Sequence, residues 1–457
     1  MKTNTKRFPR AKLRKAGGVL ETADHLSLFY DEAPKADAKA FAQLMKHLKE
    51  FDGKHSTVLM VQVQNEPGLL GDSRDGSKIA NKRFAEPVPQ ALVDFLRNDW
   101  NNLHPDLRAN LKFFKSHNKS QASWEEMFGK SPQTDELFMA YYYALYHEIV
   151  ASAGKKEYPL PVFTNAWMNC LGDDGKETDL PKGKEDRSNP GGYPSGGPTS
   201  NCLDIWLHFN PSLDWMSPDP YVNDYPLACH NYRHRNQPLF IPEQRRDEHG
   251  ARRIWTAFGS YQAIGVSPFG IDTLEPETNA YTRHYKLLDS VSQIVLEAQQ
   301  RNSESMFGVY FDELMEDGTD RQKPIVKHCK GYELTVERSF VFGKPGAAAG
   351  LVIHVGGDCP KFLLIGWGFQ VRARSLSPTS TFTGILRFEE KEVVNKKTGE
   401  LRTLRWLNGD ETRGGVVAIM PNEDPDYGGW GICTTIPART MIAELEFYSV
   451  EDHEEDA

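Results

Sequence analysis

An apolar, β-branched run that stops abruptly at two polar residues constrains this chain more than any other feature: VLMVQVQNEPG, residues 58–68. It reads as a buried parallel strand whose carboxyl end delivers Asn65 and Glu66 out of the core. In α/β barrels the carboxyl ends of the strands carry the chemistry, so an acid there is a candidate for catalysis. Such an acid needs a partner, and residues 238–244, PLFIPEQ, supply one: a second short apolar strand, ending in Glu243.

The chain around these two strands alternates. Residues 37–51 place Phe41, Leu44, Met45, Leu48 and Phe51 at helical spacing, with Asp37 at the favourable negative start and Gly53 just past the end. After Glu66, residues 71–131 form a long polar insertion with helices expected near 89–98 and near Trp124. Insertions after barrel strands build walls around a substrate. A helix over 134–153 carries Phe138, Tyr141, Tyr142, Tyr143 and Tyr146, a stripe that reads as core packing in preference to a sugar platform. The strand at 161–164 ends in Asn165 and Trp167, and NPGGYPSGGPTSN at 189–201 has the composition of a substrate lid or an exposed excursion.

A helix over 202–209 follows, then a strand over 213–217 ending in Pro218-Asp219-Pro220-Tyr221 and a helix over 225–235. Beyond Glu243 the pattern predicts a helix over 250–264, a strand over 266–271 and a helix over 280–300. Strands therefore begin near 58, 161, 213, 238 and 266, which makes about five strand–helix units where a closed barrel has eight. From residue 332 onward the pattern becomes all-β, with strands over 332–342, 351–355, 362–372, 385–394, 401–407, 416–420 and 441–450 and hairpin turns at Thr398-Gly399 and Asn408-Gly409. The expected organisation is α/β: a (β/α)8 TIM-barrel type domain over 1–305 that is amino-terminally incomplete, an all-β, sandwich-like C-terminal domain over 306–450, and an acidic tail over 451–457.

A net charge of -9 over 457 residues argues against a nucleic-acid surface, which is normally basic. No apolar run approaches the roughly 20 residues of a membrane span. A neutral or weakly charged substrate fits this balance better. The basic amino terminus, MKTNTKRFPRAKLRKAGG, lacks the apolar core of a secretory signal and the Ser-rich character of a transit peptide, so it reads as a loop entering a domain, and as cytoplasmic if the start is genuine. Cys170, Cys202, Cys229, Cys329, Cys359 and Cys433 are too scattered for a zinc site and read as reduced thiols. His230 and His234 lie at i,i+4 without the Glu of a zinc peptidase motif and read as surface histidines, so neither metal nor cofactor is expected. Asn118-Lys119-Ser120 is an open glycosylation sequon of a kind that arises by chance.

Two strand-end glutamates far apart in sequence match the needs of glycoside hydrolysis. One acid protonates the leaving oxygen and a second, ionised, supports the anomeric carbon as nucleophile. Asn65 is placed to bond a sugar hydroxyl, and Tyr221 to donate to Glu243 and keep it ionised. Asn165 and Trp167 complete the candidate substrate-binding set. The plain alternative is that both glutamates are solvated, as most are.

VLMVQVQNEPGLLGDSRDGS, PLFIPEQRR and GVSPFGID together resemble the glycoside hydrolase family 35 β-galactosidase-like proteins that carry an extra β-rich C-terminal domain. The likeness runs from Phe8 to the strands near Phe447. It implies a retaining barrel enzyme acting on terminal β-galactosides, with Glu66 as acid/base after the fourth strand, Glu243 as nucleophile after the seventh and Asn65 as a sugar-hydroxyl partner. The chain departs from that pattern in two places. Gln64 and Pro67 stand where similar sequences carry Glu and Val, and Pro67 is expected to hold Glu66 extended. The first three strands have no sequence to come from, which leaves a non-catalytic sugar-binding protein and a truncated inactive fragment as the competing expectations.

Overall fold

The computed structural model describes residues 3–117, 119, 121–169, 189–301, 305–339, 345–422 and 440–452. The chain divides into two compact units, Met1–Glu243 and Gln244–Ala457. The sequon residues Asn118 and Ser120, the thiols Cys170 and Cys433, and the tail from residue 453 lie outside the described residues. None of Cys202, Cys229, Cys329 and Cys359 is in a disulfide. Among the described residues, no helix is long and apolar enough to cross a membrane.

The first unit opens with a hairpin where a loop is expected: β1 (Arg10–Arg14) pairs antiparallel with β2 (Leu20–Leu26). The turn between them passes through Gly17 and Gly18, both at positive φ, where glycine carries no Cβ penalty. The basic residues of this segment are matched elsewhere in the chain, which is why periodicity alone misses it. Asp75 accepts from Lys12 N and Ser27 Oγ, and Arg14 pairs with Asp72 and Asp135, each at 2.7–2.8 Å.

Helix α1 (Glu32–Asp52) leads to β3 (Val61–Gln62). The insertion then folds as α2 (Lys78–Ala85), α3 (Gln90–Asn98), α4 (Pro105–Asn110), α5 (Lys112–Ser116) and α6 (Trp124–Phe128). Helix α7 (Pro132–Glu157) starts at Ser131, whose side chain accepts from Thr134 N, and has Pro132 in its first turn. Its Phe138, Tyr141, Tyr143 and Tyr146 are all buried, so the aromatic stripe is core. Phe138 stacks on Phe29 and meets Phe84 and Trp124 edge-on at 5.1–5.2 Å.

Strands β4 (Val162–Ala166) and β5 (Trp215–Pro218) complete a parallel sheet in the order β3-β4-β5, with Val61 opposite Val162 and Phe163 opposite Trp215. Every residue of β4 and β5 is buried, as a strand covered on both faces requires. Strand β3 is shorter than the run at 58–66 because, among the described residues, it pairs on one side only; Leu59 beside it is 68% exposed. Helices α8 (Leu203–Phe209) and α9 (Tyr225–Tyr232) and strand β6 (Phe240–Ile241) bring the chain to Glu243.

The second unit begins with α10 (Glu248–Ser260), β7 (Gly265–Val266), α11 (Ala280–Ser290) and α12 (Ser292–Arg301). The expected helix over 280–300 is thus broken at Val291, which is fully buried. Ten strands follow among the described residues: β8 (Met306–Phe311), β9 (Ile325–Cys329), β10 (Tyr332–Arg338), β11 (Ala348–His354), β12 (Lys361–Trp367), β13 (Phe369–Ser375), β14 (Ser380–Asn395), β15 (Glu400–Trp406), β16 (Ala418–Met420) and β17 (Ile442–Glu451). The single strand expected at 362–372 is two, because Gly368 takes a φ of 77° and sends β12 and β13 into different sheets. A four-stranded sheet, β16-β13-β10-β9, and a six-stranded sheet, β15-β14-β17-β12-β11-β8, enclose a core that includes Val309, Leu334, Phe362, Phe369, Phe388 and Leu445. The other face of the larger sheet, at Leu351, Ile353, Leu363 and Ile365, packs with Ile254, Trp255, Val291 and Val295 of the helices.

One buried acid in the first unit sets a pH dependence. Glu136 on α7 is 1% exposed, and burial raises its pKa to about 7 against bonds from Tyr193 and Asn201. The folded state then holds a proton that the unfolded state has lost, so the contribution of Glu136 to stability is full below the ordinary glutamate range and is lost as pH rises through about 7. A shift of this size corresponds to about 3 kcal/mol at most. Glu136→Gln is expected to remove that slope, raising the urea midpoint at pH 8 while changing it little at pH 4.5.

Candidate active site

Four strand ends of the first unit converge. After β3 come Asn65 and Glu66, Asn165 sits within β4, Asp219 and Tyr221 follow β5, and Glu243 follows β6. The parallel ladder continues one residue past β5, since Asp219 N donates to Ala166 O at 3.2 Å. Thr164 Oγ1 donates to Gln64 O at 2.9 Å, clamping the end of β3 to β4.

Asn165, fully buried, joins these ends. Its Oδ1 accepts from Glu66 N at 2.8 Å and from Gln62 Nε2 at 2.9 Å. Two donors on one atom settle which way the amide points. Its Nδ2 therefore faces the acids, at 2.7 Å from Asp219 Oδ2, 3.0 Å from Asn65 Oδ1 and 3.3 Å from Glu243 Oε1. On the far side of Glu243, Tyr221 Oη donates to Oε2 at 2.8 Å.

Glu66, Asp219 and Glu243 bring one carboxyl oxygen each to within 4.8 Å of the others. The spacing would admit a cation, but acids this close are equally what a pair of catalytic carboxyls with a protonated neighbour presents. Burial raises the pKa of Glu66, the charge of Glu243 raises it further, and its bond with Asp219 opposes both. Asp219 is pushed well above the carboxylate range by burial first and by the charges of Glu243 and Glu66 next. Burial and the bond to Glu243 raise Tyr221, which therefore stays a donor.

The structure brings Glu66, Glu243, Asn65, Asn165 and Tyr221 into one cluster, and leaves Trp167 half-buried just past β4. Asp219 is a site residue that the sequence reading passes over. Its place at the end of an apolar strand, in Ser217-Pro218-Asp219-Pro220-Tyr221, is the same kind of signal that marks Glu66 and Glu243.

Three expectations are corrected. Glu66 is not extended before Pro67: its φ is 42°, in the left-handed region, and its N–H is held by Asn165. Such a conformation costs about 1–3 kcal/mol and persists where its surroundings enforce it. Residues 190–200 are mostly buried, and their glycines serve close approach: a Cβ on Gly196 would meet Met139 Cβ at 2.6 Å, and one on Gly197 would meet Pro67 O at 2.3 Å. Leu69 and Ser195 exchange backbone bonds at 2.9 Å, so this segment braces the chain leaving Glu66. His234 is no plain surface histidine, because its Nε2 lies 2.9 Å from the fully buried Asp204.

Residues 281–419 match a family described as a domain of unknown function, DUF5597. No curated protein matches the chain. Among solved structures, it is similar to a β-galactosidase from the psychrophilic Marinomonas ef1, at 14% identity over 66% of this chain and 49% of that one, with a TM-score of 0.39. It is also similar to a polyextremophilic β-galactosidase from the Antarctic haloarchaeon Halorubrum lacusprofundi, at 15% identity over 62% and 43% with a TM-score of 0.36. A third is the catalytic domain of a β-amylase from Paenibacillus polymyxa, at 10% identity over 57% and 68% with a TM-score of 0.35. The chain spans about half the length of the two β-galactosidases. These overlaps are partial, and the side chains of the site decide its chemistry.

Asn165→Ala removes the acceptor for Glu66 N–H and the donor to Asp219 together. Unpaired buried polar groups make this expensive, and a loss of about 2–4 kcal/mol is expected in urea unfolding at neutral pH. A residue that only touched ligand would leave the unfolding midpoint of the free protein in place.

Proposed function

We propose that this chain is a retaining β-glycosidase whose first unit belongs to a (β/α) barrel, with Glu66 as acid/base and Glu243 as nucleophile. The observation that carries the reading is the pairing of two strand-end glutamates in unlike surroundings. Glu66 is half-buried with a raised pKa, as a proton donor needs, while Glu243 accepts from Tyr221 and Asn165. Their carboxyl oxygens approach within 4.8 Å, which favours retention, since retaining pairs lie about 5–5.5 Å apart and inverting pairs leave room for a water.

In the first step Glu243 Oε attacks the anomeric carbon while Glu66 gives its proton to the leaving oxygen, and a glycosyl ester on Glu243 results. In the second step Glu66, now a carboxylate, takes a proton from water, and that water attacks the anomeric carbon and frees Glu243. Asn65 is exposed, and its bonds to Asn165 and Gln62 both fall on its Oδ1, leaving the NH2 to meet a sugar hydroxyl. Trp167 offers an aromatic wall at the same edge. Asn165 acts through its neighbours, since its own amide is spent on protein groups. The choice of β-galactosides and the place in family 35 are supported by the sequence segments around Glu66 and Glu243.

A panel of chromogenic β-glycosides tests this reading, with hydrolysis of the β-galactoside expected. Glu243→Ala should fall to background, and added azide should restore release of the chromophore by standing in for the missing nucleophile. Glu66→Gln should lose about 10²–10⁴-fold on poor leaving groups, and less on a leaving group that departs without a proton. The alkaline limb of kcat/KM is expected above the ordinary glutamate range, because the acid that must stay protonated has a raised pKa. Activity should survive dialysis against EDTA, since both steps use carboxyl groups alone.

A further inference from the structure

Two carboxylates cannot hydrogen-bond to each other, because each is an acceptor only, so a bond between carboxyls requires a proton. Glu66, Asp219 and Glu243 each bring a carboxyl oxygen to within 4.8 Å of the others, so two of them can bond to each other only if one holds a proton. Asp219 Oδ2 is taken by Asn165 Nδ2 at 2.7 Å, while Oδ1 is buried and has no donor partner among the described residues. Asp219 is 3% exposed, against the half-buried Glu66. The groups facing it are Glu66 beyond β3, Asn165 of β4, Tyr221 on its own segment and Glu243 beyond β6. Tyr221 gives its hydroxyl proton to Glu243, so nothing in this set can supply Oδ1 with a proton except a carboxyl.

We propose that Asp219 remains protonated throughout turnover and donates its O–H to the Glu66 carboxyl, as a positioning residue that lets Glu66 ionise in the glycosyl-enzyme, where Glu243 is an ester, without a second negative charge. The proposal rests on the reading of Glu66 as acid/base. While Glu66 carries its own proton, Asp219 aims it towards the leaving oxygen. Once that proton has gone to the leaving group, the Asp219 O–H steadies the new Glu66 carboxylate until water returns a proton. The Asp219 proton itself never leaves, so the count of protons in each step is the one given above.

The arrangement discriminates between substitutions. Asparagine at 219 can reproduce both bonds, with Oδ1 accepting from Asn165 and Nδ2 donating to Glu66, whereas leucine can make neither. Asp219→Asn is expected to lower kcat by less than about tenfold and to leave the alkaline limb of the pH profile within about 0.3 units; Asp219→Leu is expected to lose about 10²-fold or more and to shift that limb upward by about one unit. If Asp219 were an anion, Asp219→Asn would take away a repelling charge and move the alkaline limb down by about a unit, which overturns the proposal.

A readout without substrate separates this claim from the enzymatic one. Because Glu66 and Glu136 also hold protons, the readout is a difference between variants at pH 7: the infrared spectrum of wild type minus that of Asp219→Asn should show a protonated-carboxyl C=O band, and so should Glu66→Gln minus the Glu66→Gln/Asp219→Asn double variant. Absence of the band from either difference overturns the assignment of the proton to Asp219. Should the wild-type chain hydrolyse no glycoside while the band behaves as expected, the proton assignment stands and the glycosidase reading falls.

Discussion

A single buried amide, that of Asn165, holds the site together. From within β4 its side chain touches the ends of the other three strands carrying candidate residues: it accepts from Glu66 N and Gln62 Nε2, and donates towards Asn65, Asp219 and Glu243. A buried amide is costly unless its donors and acceptor are satisfied, and here the bonds to Glu66 N, Asp219 and Glu243 that satisfy it also position the acids. The left-handed turn at Glu66 depends on this, because the Asn165 carbonyl is what takes the Glu66 N–H.

The acids impose the second constraint. Gathering Glu66, Asp219 and Glu243 at this spacing in a partly desolvated pocket works against folding unless protons relieve the repulsion. The same crowding sets the acids apart: burial and the neighbouring charges push Asp219 well above the carboxylate range and raise the half-buried Glu66, while Glu243 is the acid that accepts from Tyr221. A scaffold must hold such a cluster against its own repulsion. The ion pairs of Arg14 and Arg74 with Asp72 and Asp135, and the packed glycines of the segment over Leu69, fasten the chain just downstream of Glu66.

What could be read along the chain was whatever local pattern encodes. Strands stand at each of the five expected places because short apolar runs bounded by turn residues have few other outcomes, and the β-rich second half follows from its alternation. Glu66 and Glu243 were legible because each ends such a run. The β1–β2 hairpin was not, because its buried apolar face amounts to Ala11, Leu13 and Ala23, too few to make a pattern, and it is held by acids some sixty residues away. The segment at 190–200 was misread for a related reason: glycine and proline mark a loop tip and a close backbone contact with the same letters, and only the neighbours at Met139 and Pro67 tell them apart.

The sequence by itself determined which residues end strands, which stripe of α7 faces inward and that the acids of interest lie far apart in the chain. Only the tertiary structure decided that Asp219 joins them, that Asn165 is a buried tie, and that Glu66 turns left-handed before a proline. Those outcomes depend on distances between residues tens to hundreds of positions apart, and on how much water each acid loses there. Local periodicity carries neither quantity.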